Sequence, residues 1–465
     1  MPGVKVKENN NKIINDFTKG NVFTQIVRFA VPFMVSNMLQ VLYSLVDMAI
    51  VGKHVGSDGL AAVSNGGQPM NFLIMLSVGL CTSGQVNISH IIGSGKREKL
   101  NSMIGTMFTV LASLAVFMTF IGIVFRKSIL RLINVQPESF DMAAAYMLVS
   151  CIGIIFTFGY NMISAVFRGM GDSKHPFIFI MIASILNVIL DITFVIYMDM
   201  GTAGAALATI IGQAVSCICA VCFLLRNKED FGFDFKLESF RIHKESFSSL
   251  IKLGIPFALQ GCAINISMMF VGALVNSTGY QASATFGVGL RVDDFINKVT
   301  QGVSFAVSSM VGQNFAAGNF KRIKKVVFYS WIISICCYAV YVIVYFTNRE
   351  ALFSLFTDDA TVIKLSGVYV SAIIWNYPAM VLMRGSNGLI QGTGNARLGL
   401  IFALLDGFVF RIAFSYLFGI VFGLGLFGFF LGYGLATYGT AIPGTIYFFS
   451  GAWKKKWQCV YGNAK

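Results

Sequence analysis

Charge is what this sequence has least of. Only 12% of its residues are Asp, Glu, Lys or Arg, against about 25% in ordinary soluble domains. A disordered chain is excluded, because it depends on charge and polarity to stay solvated. With 56% hydrophobic residues in a length of 465, a water-soluble enzyme and a fibre are excluded as well. Some helix faces of a soluble fold must meet water, and a chain this apolar cannot supply them. No Walker motif, HExxH or nucleophile elbow occurs, so ATP-driven or hydrolytic chemistry has no residues to use. The chain is therefore not expected to be an enzyme, and no cofactor is expected. The stretch Met1–Asn21 lacks the apolar core of a cleaved leader, which leaves the first apolar segment as the insertion signal. Cys217, Cys219 and Cys222 have no His nearby. On a helix the first two point about 200° apart, so these three read as small buried apolar residues rather than ligands. All of the nine cysteines but Cys459 lie in apolar runs, and no disulfide framework is implied.

What the chain has in abundance is long, continuous apolar runs. Such runs disfavour a β-barrel, whose strands alternate in polarity. Twelve apolar segments are legible, at about 25–51, 65–92, 102–125, 140–166, 177–198, 203–225, 249–276, 283–313, 326–347, 363–386, 398–421 and 425–450. Each is long enough for a membrane-spanning helix. The segments 65–92 and 283–313 carry polar and Gly interruptions and are expected to bend. If the amino terminus is cytoplasmic, 26 of the 35 Lys and Arg fall on inner segments, 6 on outer ones and 3 within apolar runs. The inner set includes Lys5, Lys7, Lys12, Arg384 and Lys465. This asymmetry predicts a multi-pass protein of the plasma (inner) membrane with both termini cytoplasmic. It also accounts for the net charge of +14 without nucleic acid.

The sequence repeats. Pro32-Phe33 recurs at Pro256-Phe257, and Arg168-Gly-Met-Gly171-Asp172 at Gln391-Gly-Thr-Gly394-Asn395. Gly95-Lys-Arg97 recurs near Gly318–Arg322, and Leu207-Ala-Thr209 at Leu435-Ala-Thr437. Four matches in order at nearly one offset define a duplication. Six segments per half, an even number, give both halves the same orientation, hence two parallel repeats. The expected division is an amino-terminal lobe at 1–230, a cytoplasmic linker at 231–247 and a carboxyl-terminal lobe at 248–465. The fold class is an all-α membrane protein of twelve transmembrane helices.

Ionisable groups inside a bilayer cost about 2.5–3.5 kcal/mol each and usually face a cavity. Asp47 lies about 4–5 residues from the outer end of the first segment, and Asp191 about 7 from that of the fifth. Asn187 precedes Asp191 by one turn and shares its face. Thr209 and Tyr146 lie about 6 residues in, at a comparable depth. Two carboxylates, an amide, a hydroxyl and a phenol at one level suit a small hard cation or a proton held between acids. Arg291, Asp293, Asp294, Asp406 and Arg411 form a second polar group, read as a kink, cavity wall or substrate contact. For Asp406 and Arg411 a five-residue spacing is poor for pairing on one α-helical face, so each is expected to pair with another span. The glycines crowding 419–432 read as close helix packing.

These residues resemble the multidrug and toxic compound extrusion (MATE) transporters of bacterial type. The resemblance covers essentially the whole chain. It rests on the duplication, on Arg168-Gly-Met-Gly-Asp-Ser-Lys-His-Pro176 and on Val311-Gly-Gln-Asn-Phe-Ala-Ala-Gly318. It implies two six-helix lobes forming a V-shaped cleft that opens alternately to either side. It implies a secondary active antiporter exporting amphipathic, often cationic drugs or toxic compounds in exchange for Na⁺ or H⁺. The family's amino-lobe coupling residues fall on Asp47, Asn187, Asp191 and Thr209, with Tyr146 beside them, and Na⁺ would bind there. Acids that some members carry in spans 7 and 10 are missing: Asn265, Asn276, Asn376 and Tyr377 stand in those spans. The competing reading is a flippase for a lipid-linked precursor, which calls for several cavity cations. Only Arg291, Lys298 and Arg411 qualify. The expected partners are small amphipathic substrates and membrane lipids, with the chain acting as a monomer. With 44 Phe and 21 Met, the cleft should be apolar and deformable.

Overall fold

A computed structural model describes residues 14–462. Lys5, Lys7, Lys12 and Lys465, counted above, lie outside the described residues. Among the described residues there are helices and no strands. Six long helices come first: α1 (Val22–His54), α2 (Ser57–Gly93), α3 (Lys99–Leu132), α4 (Pro137–Met170), α5 (Lys174–Tyr197) and α6 (Gly201–Arg226). Six more follow: α7 (Lys244–Asn276), α8 (Tyr280–Ala316), α9 (Phe320–Thr347), α10 (Ala360–Gly392), α11 (Ala396–Val421) and α12 (Gly425–Ser450). A short α13 (Trp453–Tyr461) follows α12. Each of the twelve expected apolar segments falls on one of α1 to α12.

Ten of these helices are long and apolar enough to cross a membrane, and α10, bent by 54° between Ile373 and Asn376, makes an eleventh. The remaining one, α8, is less apolar because Arg291, Asp293, Asp294 and Lys298 interrupt it. Helix breaks fall outside the two segments expected to bend. The polar helices α2 and α8 each run unbroken for 37 residues. Their polar residues Gln85, Ser89, Ser308, Gln313 and Asn314 are fully buried, and most of them bond to neighbouring helices rather than disturbing their own ladder. Breaks occur in α10 and as π-helical turns in α5 and α11.

Outer faces of the bundle are apolar and exposed, as at Phe120 (63%) and Val116 (60%), whereas amides and hydroxyls lie inside, as expected where lipid is the solvent. Of the three clustered cysteines, Cys217 and Cys219 are half-buried and Cys222 is exposed, so the expectation of burial fails at Cys222. The duplication is visible in the backbone. Gly171 and its counterpart Gly394 both take left-handed φ, +86° and +66°, at helix ends, and Gly95 and Gly318 take +74° and +75°. Only glycine does this freely. In the Asp172 turn that follows, the carboxylate accepts from the Lys174 and His175 amides and starts α5.

The two sets of helices meet along α1, α2, α7 and α8, and the contact is concentrated at one end. Ser83 Oγ donates to Leu250 O (2.9 Å) and Gln85 Nε2 to Ser309 Oγ (2.8 Å). His90 Nε2 lies 2.7 Å from Gly392 O at the same end, while Asn37 Nδ2 donates to Lys298 O (2.8 Å) about halfway along α1 and α8. A strap crosses the same end ahead of α1. Asn15 Nδ2 donates to Gly171 O (2.7 Å), while Phe17 N donates to Gln313 Oε1 (2.9 Å) and Phe17 O accepts from Arg322 Nη2 (2.9 Å). This is the end that holds both described termini. Toward the other end the cross-contacts thin to Asn265 Nδ2 with Met75 Sδ (3.5 Å) and Arg291 Nη1 with Met48 Sδ (3.4 Å), and Leu42, Phe72, Ile266 and Met269 are 42–63% exposed. The halves thus form a V closed at the termini end.

Glycines set how tightly the V closes. A Cβ on Gly93 would stand 2.1 Å from Gln313 O, and one on Gly302 2.7 Å from Met34 N. Both neighbours are backbone atoms that cannot step aside. Gly93→Ala is therefore expected to disfavour this closed seam. Spin labels at Ser94 and Ala317 should move apart relative to the parent protein; an unchanged distance would refute the role of Gly93.

Candidate functional site

Asp47 lies on α1, which packs against α5, and Asp191 ends the α-helical part of α5. Asp191 is completely buried and Asn187 is 3% exposed. Asn187 Nδ2 points at Thr209 Oγ1 on α6, 3.5 Å away. Among the described residues no protein group bonds Asp47 Oδ1, Asn187 Oδ1 or either oxygen of Asp191. Buried oxygens without donors are costly, so this set has unspent capacity for a positive charge. Tyr146 lies on α4, which packs against α6. Of the five residues singled out in the sequence, Asn187 and Thr209 line one cavity, and Asp47, Asp191 and Tyr146 lie on helices that pack around it.

Two further residues belong there. That small cavity, of about 10 Å³, is lined by Tyr43, Asn187, Thr209 and Gln213, with Ile180, Ala183 and Gly212. The Gln213 carbonyl oxygen is buried and unpartnered too. Sequence reasoning missed this pair, although a signal existed. Tyr43 precedes Asp47 by one turn and Gln213 follows Thr209 by one turn, so each shares the face of a chosen residue. Directly after Asp191 the helix changes to π geometry over Ile192–Tyr197, a local distortion frequent at functional positions.

The second polar group does not form one cavity, which corrects the sequence reading. Successive residues on a helix point about 100° apart, so Arg291, Asp293 and Asp294 part company. Arg291 and Asp294 are exposed, and Arg291 Nη1 reaches Met48 Sδ of α1 at 3.4 Å. Asp293 turns inward and is 6% exposed. Three phenols donate to its carboxylate: Tyr341 (2.9 Å), Tyr369 (2.7 Å) and Tyr377 (2.8 Å). Tyr369 and Tyr377 lie on either side of the α10 bend, so one carboxylate holds both arms of the broken helix. Nothing in the spacing of these tyrosines announced the cage, which draws Tyr341 from α9 and Tyr369 and Tyr377 from the two arms of α10.

Asp406 and Arg411 pair with each other, at 2.7 Å, and both are buried. The expectation that each would find a partner on another span is wrong for a geometric reason. Leu405–Arg411 is π-helical, and a π turn brings residues five apart onto one face. Thr440 Oγ1 donates to the other Asp406 oxygen (3.3 Å), and the Arg411 guanidinium stacks over Tyr433 at 4.8 Å. Arg411 is thereby removed from the set of cavity cations. Arg384, counted among the inner-loop cations, is instead part-buried within α10, where Nη2 donates to Asn297 Oδ1 (3.1 Å).

Comparison with known proteins agrees with this architecture. The MatE family model matches residues 32–193 and again 256–417, an offset of 224 that reproduces the Pro32–Pro256 repeat. A probable multidrug resistance protein of Bacillus subtilis, YpnP, is 30% identical over 94% of this chain and 97% of its own. The probable multidrug resistance protein NorM of Thermotoga maritima is 24% identical over 93% of each. Among solved structures, a MATE in the straight conformation superposes with a TM-score of 0.89 at 22% identity, covering 95% of this chain and 98% of that one. An outward-facing multidrug resistance MATE transporter gives 0.89 at 23%, covering 94% and 98%. With its duplicated family match and its full-length relatives, the chain belongs to the MATE (MatE) family of multi-span membrane transporters, and is not an enzyme.

Proposed function

We propose that this chain is a secondary active antiporter that exports amphipathic, often cationic compounds in exchange for Na⁺ or H⁺. The relatives named for multidrug resistance and export support the cargo. The single observation that carries the coupling reading is the group of unpartnered oxygens on Asp47, Asn187 and Asp191. Asp47, Asn187, Asp191 and Thr209 would hold Na⁺, or the two acids a proton, with Tyr146 alongside. An unpaired buried carboxylate is expensive, and a monovalent cation removes that cost.

Both termini lie in the cytoplasm of the host's inner membrane in this reading, since the closed end carries most of the basic residues. The V then opens outward, the state that releases cargo and admits the coupling cation. A cation entering from outside gains about 2.3 kcal/mol per charge for each 100 mV of membrane potential. Occupation at Asp47 and Asp191 must favour a state that binds cargo poorly, and by reciprocity bound cargo must weaken the cation. Affinity for a cationic dye, measured on purified protein, is therefore expected to fall as Na⁺ or proton concentration rises. Affinity that stays flat across both titrations overturns coupling through these carboxylates.

A further inference from the structure

Arg291, Asp294 and Lys298 are exposed on α8 and occupy positions three and seven residues apart, which places them along one helical stripe. A side-chain contact fixes where that stripe points, and a backbone contact fixes its level. Arg291 reaches Met48 of α1, and the Lys298 carbonyl receives Asn37 about halfway along the same helix. The stripe therefore borders the seam between the halves, from its middle at Lys298 to the open part of the V at Arg291. Charged side chains this far along a membrane helix face water or protein rather than lipid, so the three groups stand in the aqueous cleft.

None of the three joins an ion pair among the described residues. The other helices of the seam add little charge. Within the opened part, α7 has none, α2 has only Asp58 at its first turn, and α1 has Asp47 besides Lys53 and His54 in its last turn. One oxygen of Asp47 is buried. The cleft wall of α8 thus carries two cations about 10 Å apart along the helix, with one acid between them. Arg411 is engaged with Asp406 inside the carboxyl half, and Arg384 bonds Asn297 of α8 rather than joining the stripe.

We propose that this stripe is a recognition site for the anionic group of an amphiphile, so that the preferred cargo is zwitterionic. Its carboxylate is held by Arg291 and Lys298, and its basic centre lies toward Asp294. The proposal rests on the export reading and narrows its substrate class. A guanidinium suits a carboxylate through paired N–H donors. An ammonium alone at Asp294 would meet repulsion from both neighbouring cations.

The test uses a matched pair of rhodamines: one with a free carboxylate, a zwitterion, and its ethyl ester, a cation. Binding to the full chain in detergent is followed by fluorescence polarisation. The acid is expected to bind about tenfold more tightly than the ester. In Arg291→Gln and in Lys298→Gln the acid-to-ester ratio should shrink toward one, and Arg291→Lys should restore most of it. If either Gln variant fails to elute as a folded species, the other carries the reading. A parent protein that binds the ester as tightly as the acid overturns the proposal. So do Gln variants that weaken both dyes equally. Gradient-driven efflux of the ester from proteoliposomes tests the export reading separately. Absent efflux with the binding ratio intact overturns export and leaves the recognition site standing.

Discussion

Asp191→Asn, and separately Asp47→Asn, should reduce drug resistance in cells carrying this protein to the level of cells without it, a loss of at least about tenfold in export. The effect is large because each acid contributes a full charge to a site whose other ligands are neutral. An amide in its place neither binds a proton at physiological pH nor balances a sodium ion. The fold should survive. A neutral amide is cheaper to bury than an unpaired carboxylate, and none of the three oxygens left unpartnered here bonds to the protein. Membrane levels and gel-filtration profiles of both variants are therefore expected to match the parent. Unimpaired resistance in both variants would remove the amino-half site from the account.

The second large effect is on stability. Asp406→Ala leaves the Arg411 guanidinium buried without its carboxylate partner. Breaking one side of a buried pair costs about 3–5 kcal/mol. The cation cannot escape to water, because Arg411 is 4% exposed and held in the π turn beneath Tyr433. Thermal unfolding in detergent should show the loss. The double replacement Asp406→Leu with Arg411→Met should recover most of it, since an apolar pair of similar volume leaves no charge behind. A single variant as stable as the parent would mean that the pair contributes nothing to the packing of α11.

These two cases also mark what was legible beforehand. The twelve apolar segments and the duplication could be read because bilayer thickness imposes length, and because glycine at a left-handed helix end leaves a fixed mark, as at Gly171 and Gly394. Asp47, Asn187, Asp191, Thr209 and Tyr146 were readable from depth, since residues at one level on neighbouring helices can meet. Tyr43 and Gln213 needed only the same rule carried one turn further. The Asp406–Arg411 pair was hidden, because α-helical periodicity places residues five apart on different faces and nothing in the sequence announces a π turn. The three phenols around Asp293 were hidden for another reason. They come from α9 and from both arms of α10, and which helices pack against α8 is a tertiary fact. The unbroken course of α2 and α8 belongs to the same class, because their polar residues find partners on other helices.

The central claim, that a cation gradient drives export through Asp47 and Asp191, is tested most directly in proteoliposomes. Efflux of a cationic dye would be followed with an imposed Na⁺ gradient, then with an imposed proton gradient, for the parent protein and Asp191→Asn. Dye movement driven by at least one gradient in the parent, and by neither in the variant, is the predicted result. Dye movement that needs neither gradient, or that persists unchanged in Asp191→Asn, would contradict the account.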